Sequence, residues 1–528
     1  MVNIKFVDPG KYKASITGVF TNLLLWDKEY LWLSLAQSLT NHFKGKLLYD
    51  PIVNIDSLSK LIRFLERLPS FGFIIPSTKQ RTELLKRINS LDQRYELKDK
   101  NNTVDSYLLQ LYFRQWEFSG TNQKYKIIIT SQAFSPISKI ANANENAEKC
   151  LRKKYNTSYL QYEAYMFMLY TFFFSNGGFG NFGGHLQSAK NKSEQIAFSN
   201  FLDLISVTKG NLRKKSKKEK YNVRKPFYIN LSLLQDFPII NAKENHFICP
   251  SISYLLNRFA KGTYHDINEF YLENNEGTKE KEEFSRQYGL VLEKISSKFL
   301  SDNKGKHRVS EEFIFDSKKK LKSADLHLYY NGNIGIIQIK NKRLTLKSLS
   351  GDINAYQVDF QKGIMRGIEQ STKLLNNQLY IEELKNRLNV DRFTKIYYIN
   401  INPEEYVVDH LFQYNKISLN YIKENLKNPE FIGIPYFVIN LSLETFFMLI
   451  EITNENSISF NVILDQYLSY RNKLELKYDV ATDGIPKNFE EFIRDNPYFK
   501  KTQFIYSDNI YKSIIENTEE EIQKRFNF

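Results

Sequence analysis

Cysteine is scarce in this sequence, and its scarcity argues against two classes of architecture. The 528 residues include two cysteines, Cys150 and Cys249. Neither lies in a CxxC pair or near histidines at zinc-ligand spacing. The pattern therefore argues against both a disulfide scaffold and a zinc finger.

A signal-peptide pattern and a membrane-length apolar run are also missing. The opening residues, MVNIKFVDPGKYKAS, lack a basic stretch, an apolar run and a small-residue cleavage site, which favours a cytoplasmic location. The most apolar segment, Tyr159–Phe174, contains Gln161 and Glu163. It is also shorter than the roughly 20 residues that cross a bilayer. It predicts a buried core helix, and no membrane partner is expected.

The composition that remains is typical of a folded, multi-domain chain. Hydrophobic residues make up 42% of the sequence and charged residues 25%, and the length predicts two to four domains. The formal net charge is +15, which favours a polyanionic partner because bound cations displace counterions from a phosphate backbone. A genome biased towards Lys and Asn codons would produce the same excess.

Four regions are predicted along the chain. Residues 1–145 form a mixed α/β region with helices in Leu23–Phe43 and Ser57–Leu68 and strands at Tyr107–Trp116 and Tyr125–Thr130. Residues 146–275 are helix-rich, residues 276–445 form the domain that carries the chemistry, and residues 446–528 are a helical extension.

A basic run at 209–225 lies within the second region. It holds nine basic residues against one Glu. Such a run is either a solvated loop or an arm that follows phosphates, and the sequence leaves these alternatives open. If it is an arm, the candidate nucleic-acid contacts are Lys214, Lys215, Lys217 and Lys218.

The third region has a regular order of predicted elements. Phe284–Leu300 is an amphipathic helix in which Glu293 lies beside the apolar stripe. Strands are predicted at Glu312–Phe315, Ala324–Tyr330 and Ile334–Lys340. The Asn-Gly turn between the last two is a strong hairpin signal.

Polar side chains are expected to cluster at one end of this hairpin. Gln338 and Lys340 are two residues apart and share one strand face, while Ile337 and Ile339 occupy the other. Asp325 begins the partner strand. Oxygen ligands beside an ammonium are suited to holding a divalent cation next to a bound water.

With these elements in place, the segment from Lys281 to Asn402 resembles the PD-(D/E)XK (restriction endonuclease-like) nuclease superfamily in a Gln-x-Lys variant. The matching features, in chain order, are GLVLE on the opening helix (Gly289–Glu293), Asp325 in SADLHL, Gln338–Lys340 as QIK, the long helix Asp352–Leu375 and the strand Thr394–Ile401. The resemblance implies an αβββαβ core. The fold class predicted for the whole chain is therefore multi-domain and mixed, α+β or α/β, with a helix-rich N-terminal region before this core and a helical C-terminal cover after it.

The resemblance also implies roles for the clustered residues. Asp325 and Glu293 would hold Mg²⁺, with Mn²⁺ as an alternative, and Gln338 would complete the metal shell. Lys340 would act on the attacking water and the phosphate. Gln338 stands where the family usually has an acid, as it does in type IV restriction enzymes, so the metal would depend more on Asp325 and Glu293.

The expected function is a Mg²⁺-dependent endonuclease that cleaves DNA in bacterial antiviral defence or restriction. Lys342 and Arg343, which follow the QIK strand, are further candidate nucleic-acid contacts. DNA is favoured over RNA because the chain shows no RNP-type aromatic strand. The alternatives are a nuclease-fold protein that binds nucleic acid without cutting, and an RNA or tRNA nuclease. A protein partner or a homo-oligomer is compatible with either.

Overall fold

A computed structural model describes residues 23–44, 55–68, 74–90, 123–138, 143–218, 232–243, 245–273, 277–404, 414–477 and 496–527, together with positions 19, 140, 406, 489, 492 and 493. Over these residues the chain is a mixed α/β structure with nineteen α-helices and eleven strands. The predicted mixed class is confirmed at this coarse level. The predicted strand at Tyr107–Trp116 lies outside the described residues.

Helices dominate the first half of the described chain. In chain order they are α1 (Lys28–Phe43), α2 (Ile55–Arg67), α3 (Thr78–Ser90), α4 (Gln123–Phe134), α5 (Asn144–Tyr155), α6 (Tyr159–Ser175), α7 (Gly183–Gln187), α8 (Lys192–Ile205), α9 (Lys209–Ser216) and α10 (Ile252–Glu273). Four short strands form a small sheet in the order β1-β4-β3-β2: β1 (Phe179–Asn181), β2 (Ser206–Thr208), β3 (Ile239–Lys243) and β4 (His246–Ile248).

The second half is built on a five-stranded sheet in the order β11-β10-β9-β8-β5. Its strands are β5 (Arg308–Glu311), β8 (Leu326–Tyr330), β9 (Asn333–Ile339), β10 (Lys395–Asn402) and β11 (Tyr436–Ser442), while β6 (Ile314–Asp316) and β7 (Leu321–Lys322) pair separately. The remaining helices are α11 (Gly277–Asp302), α12 (Leu346–Leu349), α13 (Ile353–Phe360), α14 (Arg366–Leu375), α15 (Gln378–Leu388), α16 (Tyr414–Asn425), α17 (Leu443–Glu455), α18 (Phe460–Lys477) and α19 (Ile505–Arg525).

Pairing within the central sheet changes direction at β9. Strands β5, β8 and β9 are antiparallel neighbours, whereas β9, β10 and β11 run parallel. Parallel neighbours need a crossover, and here α12 to α15 connect β9 to β10. A π-helical turn, Gln361–Met365, joins α13 to α14.

Two apolar clusters cover the two faces of the central sheet. Ile337 and Ile339 belong to a cluster that includes residues from Tyr125 to Phe526. Ile334 and Ile336 face a second cluster formed with the crossover helices, and a third cluster lies among α1, α2 and α3. The largest cluster crosses the predicted boundaries at 145/146 and 445/446, and the domain division stays a prediction.

Helix α6 confirms the predicted core helix at Tyr159–Phe174. It begins with a capping box in which Ser158 Oγ accepts from the Gln161 amide at 3.2 Å and the Gln161 side chain accepts from the Ser158 amide at 3.2 Å. Tyr159, Tyr162 and Leu169 are fully buried. None of the helices in the described segments is long and apolar enough to span a bilayer.

The strand predicted at Tyr125–Thr130 is wrong, because these residues lie in α4. Ile127, Ile128 and Ile129 are buried in succession, since α4 packs against α10, α11 and α19. An all-round apolar environment removes the 3.6-residue pattern by which a helix is recognised in sequence, and β-branched residues then suggest a strand.

The loop predicted for 209–225 is wrong over Lys209–Ser216, which form α9. Thr208 caps the helix by accepting from the Asn211 amide at 3.3 Å. Leu212 is buried, and the buried Ser216 hydroxyl donates to the Glu66 carbonyl at 3.1 Å. The cap and one buried face outweigh the repulsion among the basic side chains. Residues 219–225 lie outside the described part of the chain.

The strand predicted at Glu312–Phe315 is shifted in the structure. The strand that joins the central sheet is β5, where Ser310 pairs with His327. Ile314 instead pairs with Lys322 in the separate β6–β7 hairpin. The shift leaves Glu312 between the two pairings, close to Asp325.

Candidate active site at the end of the central hairpin

Asp325 lies directly before β8, and its carboxylate is held against β9. Leu326 pairs with Ile337 across the hairpin, so Asp325 comes level with Gln338. Asp325 Oδ2 accepts a hydrogen bond from the Ile339 amide at 2.6 Å. The hairpin register that is set by the Asn331-Gly332 turn therefore fixes the position of the carboxylate.

Gln338 and Lys340 share one face of β9, as their spacing predicts. Lys340 Nζ donates to Gln338 Oε1 at 2.9 Å. The Lys340 amide donates to the Ile401 carbonyl at 2.9 Å, which holds the end of β9 against β10. Gln338 is only 3% exposed, whereas Lys340 is half-buried. The ammonium is thus held against a buried amide oxygen at the end of the strand.

Helix α11 brings Glu293 to the same end of the sheet. A Cβ added to Gly289 would lie 3.6 Å from the Asn341 Cβ, and Asn341 Nδ2 donates to the Ser285 carbonyl at 3.0 Å. These contacts place α11 beside the residue that follows Lys340. Glu293, one turn further along the helix, is half-buried.

Burial disfavours the charged forms of both Asp325 and Glu293. Burial, followed by the charge of Asp325, raises the pKa of Glu293 to about 7, and Lys340 opposes the rise. Burial also raises the pKa of Asp325, against the effects of Lys340 and of the Ile339 amide. Both carboxyl groups therefore lie where burial opposes their ionisation and where Lys340 favours it.

Glu312 and Lys322 also belong to this electrostatic cluster, and the sequence reasoning missed them. Glu312 raises the pKa of both Asp325 and Glu293, and Lys322 lowers both. Lys322 Nζ lies 2.7 Å from Glu312 Oε2. The available signal was their position, since they flank the segment that leads into Asp325.

The donor set can be tested for its fit to Mg²⁺ or Mn²⁺. Within the described segments, no group of three or more His, Cys, Asp or Glu side chains is arranged to hold a metal ion. Asp325 is close enough to Glu293 to raise its pKa, however, and Gln338 lies level with Asp325 on the neighbouring strand. Hard divalent cations prefer oxygen ligands such as these. A bound cation would also favour the ionised forms that burial disfavours in Glu293 and Asp325. Glu293 and Asp325 therefore fit the group, with Gln338 as the neutral third donor.

A row of buried amides continues from Gln338 across the parallel strands. Asn400 on β10 pairs in register with Gln338 and with Asn440 on β11, and Asn400 Nδ2 donates to Asn440 Oδ1 at 3.1 Å. Asn402, 1% exposed, has no hydrogen-bond partner for either amide atom among the described residues. The sequence signal was an Asn at every second position in the otherwise apolar YININ.

Gly367 on α14 lets this helix approach the amide row closely. A Cβ at this position would lie 2.3 Å from Asn400 Oδ1 and 3.4 Å from the Gln338 Cβ. The sheet face below the site is therefore covered by a helix backbone at a point where any side chain would collide.

The two candidate nucleic-acid contacts after β9, Lys342 and Arg343, both contact other side chains of the protein. Lys342 Nζ lies 2.7 Å from Asp359 Oδ1. The Arg343 guanidinium stacks 4.3 Å from the Tyr264 ring centroid and lies 4.0 Å from Glu404 Oε1. Both side chains therefore already have an acidic or aromatic partner within the protein.

The candidate contacts of the basic run are more accessible. Lys214, Lys217 and Lys218 are exposed on or just after α9, and Lys215 Nζ lies 3.9 Å from the Phe237 ring centroid. The structure does not bring them into the Asp325 cluster, since α9 packs with α2 and the small sheet.

Comparisons with known proteins identify no relative, so a functional assignment depends on the geometry of the site. No protein-family model, curated protein or solved structure matches the chain.

Proposed function

We propose that this protein is a Mg²⁺-dependent nuclease of the PD-(D/E)XK type that cleaves DNA internally, in bacterial antiviral defence or restriction. The observation that carries the proposal is the convergence of Asp325, Glu293 and the Gln338–Lys340 pair at one end of the central sheet. Charged residues placed by chance on a surface would not be expected to meet from a helix and two strands at one point.

The arrangement supports phosphodiester hydrolysis because its residues divide the required tasks. Asp325 and Glu293 would hold the metal, which would neutralise phosphate charge and acidify a water molecule. The Lys340 ammonium would donate to the phosphate oxygens as negative charge develops, while Gln338 Oε1 orients it. The net charge of +15 would favour the approach of a polyanion.

The first test removes either the Asp325 carboxylate or the Lys340 ammonium. Asp325→Ala and Lys340→Ala should each reduce plasmid cleavage in Mg²⁺ or Mn²⁺ by about 100-fold or more, because each removes a charge that stabilises the transition state. Asp325→Asn, which keeps an oxygen acceptor for the Ile339 amide, should lose activity equally. Lys347→Ala, an exposed lysine on α12, is the matched control. Wild-type cleavage by either folded variant would overturn the site assignment.

A protein that binds DNA without cutting is the rival, and one observation favours it. Gln338 Oε1 is already occupied by Lys340, and an amide brings no charge to a metal.

Gln338→Glu separates the two functions. In a nuclease, the added carboxylate strengthens the metal shell, so Mg²⁺ should bind at least as tightly and cleavage should persist. In a binding-only protein, the new negative charge weakens DNA binding without any metal-dependent gain. Cleavage and filter binding across a Mg²⁺ titration distinguish the two. Wild-type protein that is inactive with DNA and RNA in every divalent metal, together with weakened binding by the variant, would eliminate the nuclease.

A further inference from the structure

A second site lies away from the central hairpin, in a cavity of about 480 Å³ that is walled by α4, α6, α11 and α19. This volume is within the roughly 300–1,000 Å³ range of small-ligand pockets. The walls come from all four regions that the sequence predicts, so the cavity exists only when these regions are packed together.

Two acidic residues line this cavity, Glu163 on α6 and Asp302 on α11. Glu163 is the more deeply buried of the two. Its side chain is 4% exposed, and its Oε1 atom has no hydrogen-bond partner among the described residues. Burial raises the pKa of Glu163 to about 7, although hydrogen bonds from Ser131 and Tyr159 oppose the rise. A buried carboxyl group with a free oxygen is costly unless something pairs with it.

The other charges at the cavity do not supply that partner. Lys298 Nζ donates to Asp302 Oδ2 at 2.9 Å, and the Tyr506 hydroxyl donates to the same oxygen. The lysine is therefore committed to an ion pair at the rim. With Asp302 paired in this way, Glu163 is the acidic group of the described lining that has no cation beside it, and its ionised form selects against anionic ligands.

The remaining lining is suited to a short aliphatic body with polar contacts. Ile510 and Ile514 contribute apolar surface from α19, and Ser135, Asn509 and Ser513 contribute hydroxyl and amide groups. Ser513 and Asn509 are exposed, whereas Ser135 and Ile514 are buried. The cavity thus runs from a polar mouth to a carboxylate.

We propose that this cavity binds a small organic cation whose ammonium or guanidinium group pairs with Glu163 while its aliphatic part lies along the isoleucines of α19. The proposal is independent of the nuclease assignment, since none of its residues belongs to the Asp325 cluster.

The test is calorimetric titration of the full-length protein with 1,4-diaminobutane and with agmatine. Butane-1,4-diol and succinate serve as neutral and anionic probes of similar length, and KCl and MgCl₂ serve as inorganic cations. Saturable binding of a diamine or of agmatine, with none of the diol or succinate, is expected.

Glu163→Gln should weaken that binding at least tenfold, because it keeps the shape of the side chain and removes its charge. Glu516→Gln is the control, since Glu516 is exposed on the same α19 helix and is not part of the lining. Ser513→Phe, a substitution at the exposed mouth, should block entry, and it tests the site if Glu163→Gln does not fold.

Three results would overturn the proposal. They are the absence of saturable binding by either organic cation, equal binding by wild type and both cavity variants, and equal occupancy by the diol or by the inorganic cations.

Discussion

Gly367→Ala tests how closely α14 must lie on the sheet beneath the proposed active site. The new Cβ would lie 2.3 Å from Asn400 Oδ1, where ordinary contact begins at 3.4 Å. The amide must therefore retreat by roughly 1 Å, and its 3.1 Å hydrogen bond to Asn440 is lost or distorted.

The magnitude follows from three contributions. Overpacking a core costs about 1–3 kcal/mol, and the weakened buried hydrogen bond costs about 1 kcal/mol. Replacing Gly by Ala within a helix returns about 1 kcal/mol. The net expectation is a local destabilisation of about 2 kcal/mol, which corresponds to roughly 30-fold faster amide exchange.

Hydrogen exchange of peptides that cover β9 and β10 is the appropriate assay. Among the described residues, tryptophan fluorescence would not report this region, because Trp26 and Trp32 lie in the cluster of α1 to α3 and Trp116 lies outside the described segments. Gly210→Ala is the control, since a Cβ at this exposed helical glycine meets no atom within 4 Å. Unchanged or slower exchange in Gly367→Ala would refute the reasoning.

Two further predictions concern buried charge. Burial lowers the pKa of His327 from 6.5 to about 4, so the folded state binds a proton less well than the unfolded state, and the stability present above pH 6.5 is lost as the pH falls towards 4. His327→Gln should therefore reduce the loss of unfolding free energy between pH 7 and pH 5 by about 2 kcal/mol. Urea denaturation at both pH values measures this loss. A variant that loses as much unfolding free energy as the wild type would contradict the prediction. Lys342→Ala should destabilise the protein by about 2 kcal/mol, because Asp359 keeps hydrogen bonds from Ser348 and Thr345 but loses its cation. Lys342→Arg should restore most of this loss, and a wild-type urea midpoint for Lys342→Ala would show that the pair is unimportant.

The central hairpin was predictable because its signals are local. Asn331 and Gly332 both adopt positive φ, at 44° and 81°, which is the backbone that an Asn-Gly hairpin turn requires. Once that turn fixes the register, strand alternation puts Gln338 and Lys340 on one face. The same reasoning placed Asp325 level with them, as the structure shows.

The features that were missed depend on contacts between distant parts of the chain. Glu312 reaches the site because β5 ends at Glu311, just before the predicted strand Glu312–Phe315 begins. Helix α4 was mistaken for a strand because it is buried on all sides by α10, α11 and α19. In the sequence, Glu163 was interpreted only as a polar interruption of an apolar helix. The cavity that it lines forms only when α19 packs against that helix.

The largest apolar cluster joins residues that are far apart in the sequence, so it cannot form until most of the chain has left the ribosome. Lys124 pairs with Asp508 at 2.6 Å across 384 positions, and Arg525 reaches Glu194 at 2.9 Å across 331. The core that supports α11 can close only after α19 has been synthesised. Because late, non-local contacts slow folding, nascent chains would carry Glu293 on an unsupported helix until translation reaches α19. The proposed nuclease would therefore be inactive during its own synthesis.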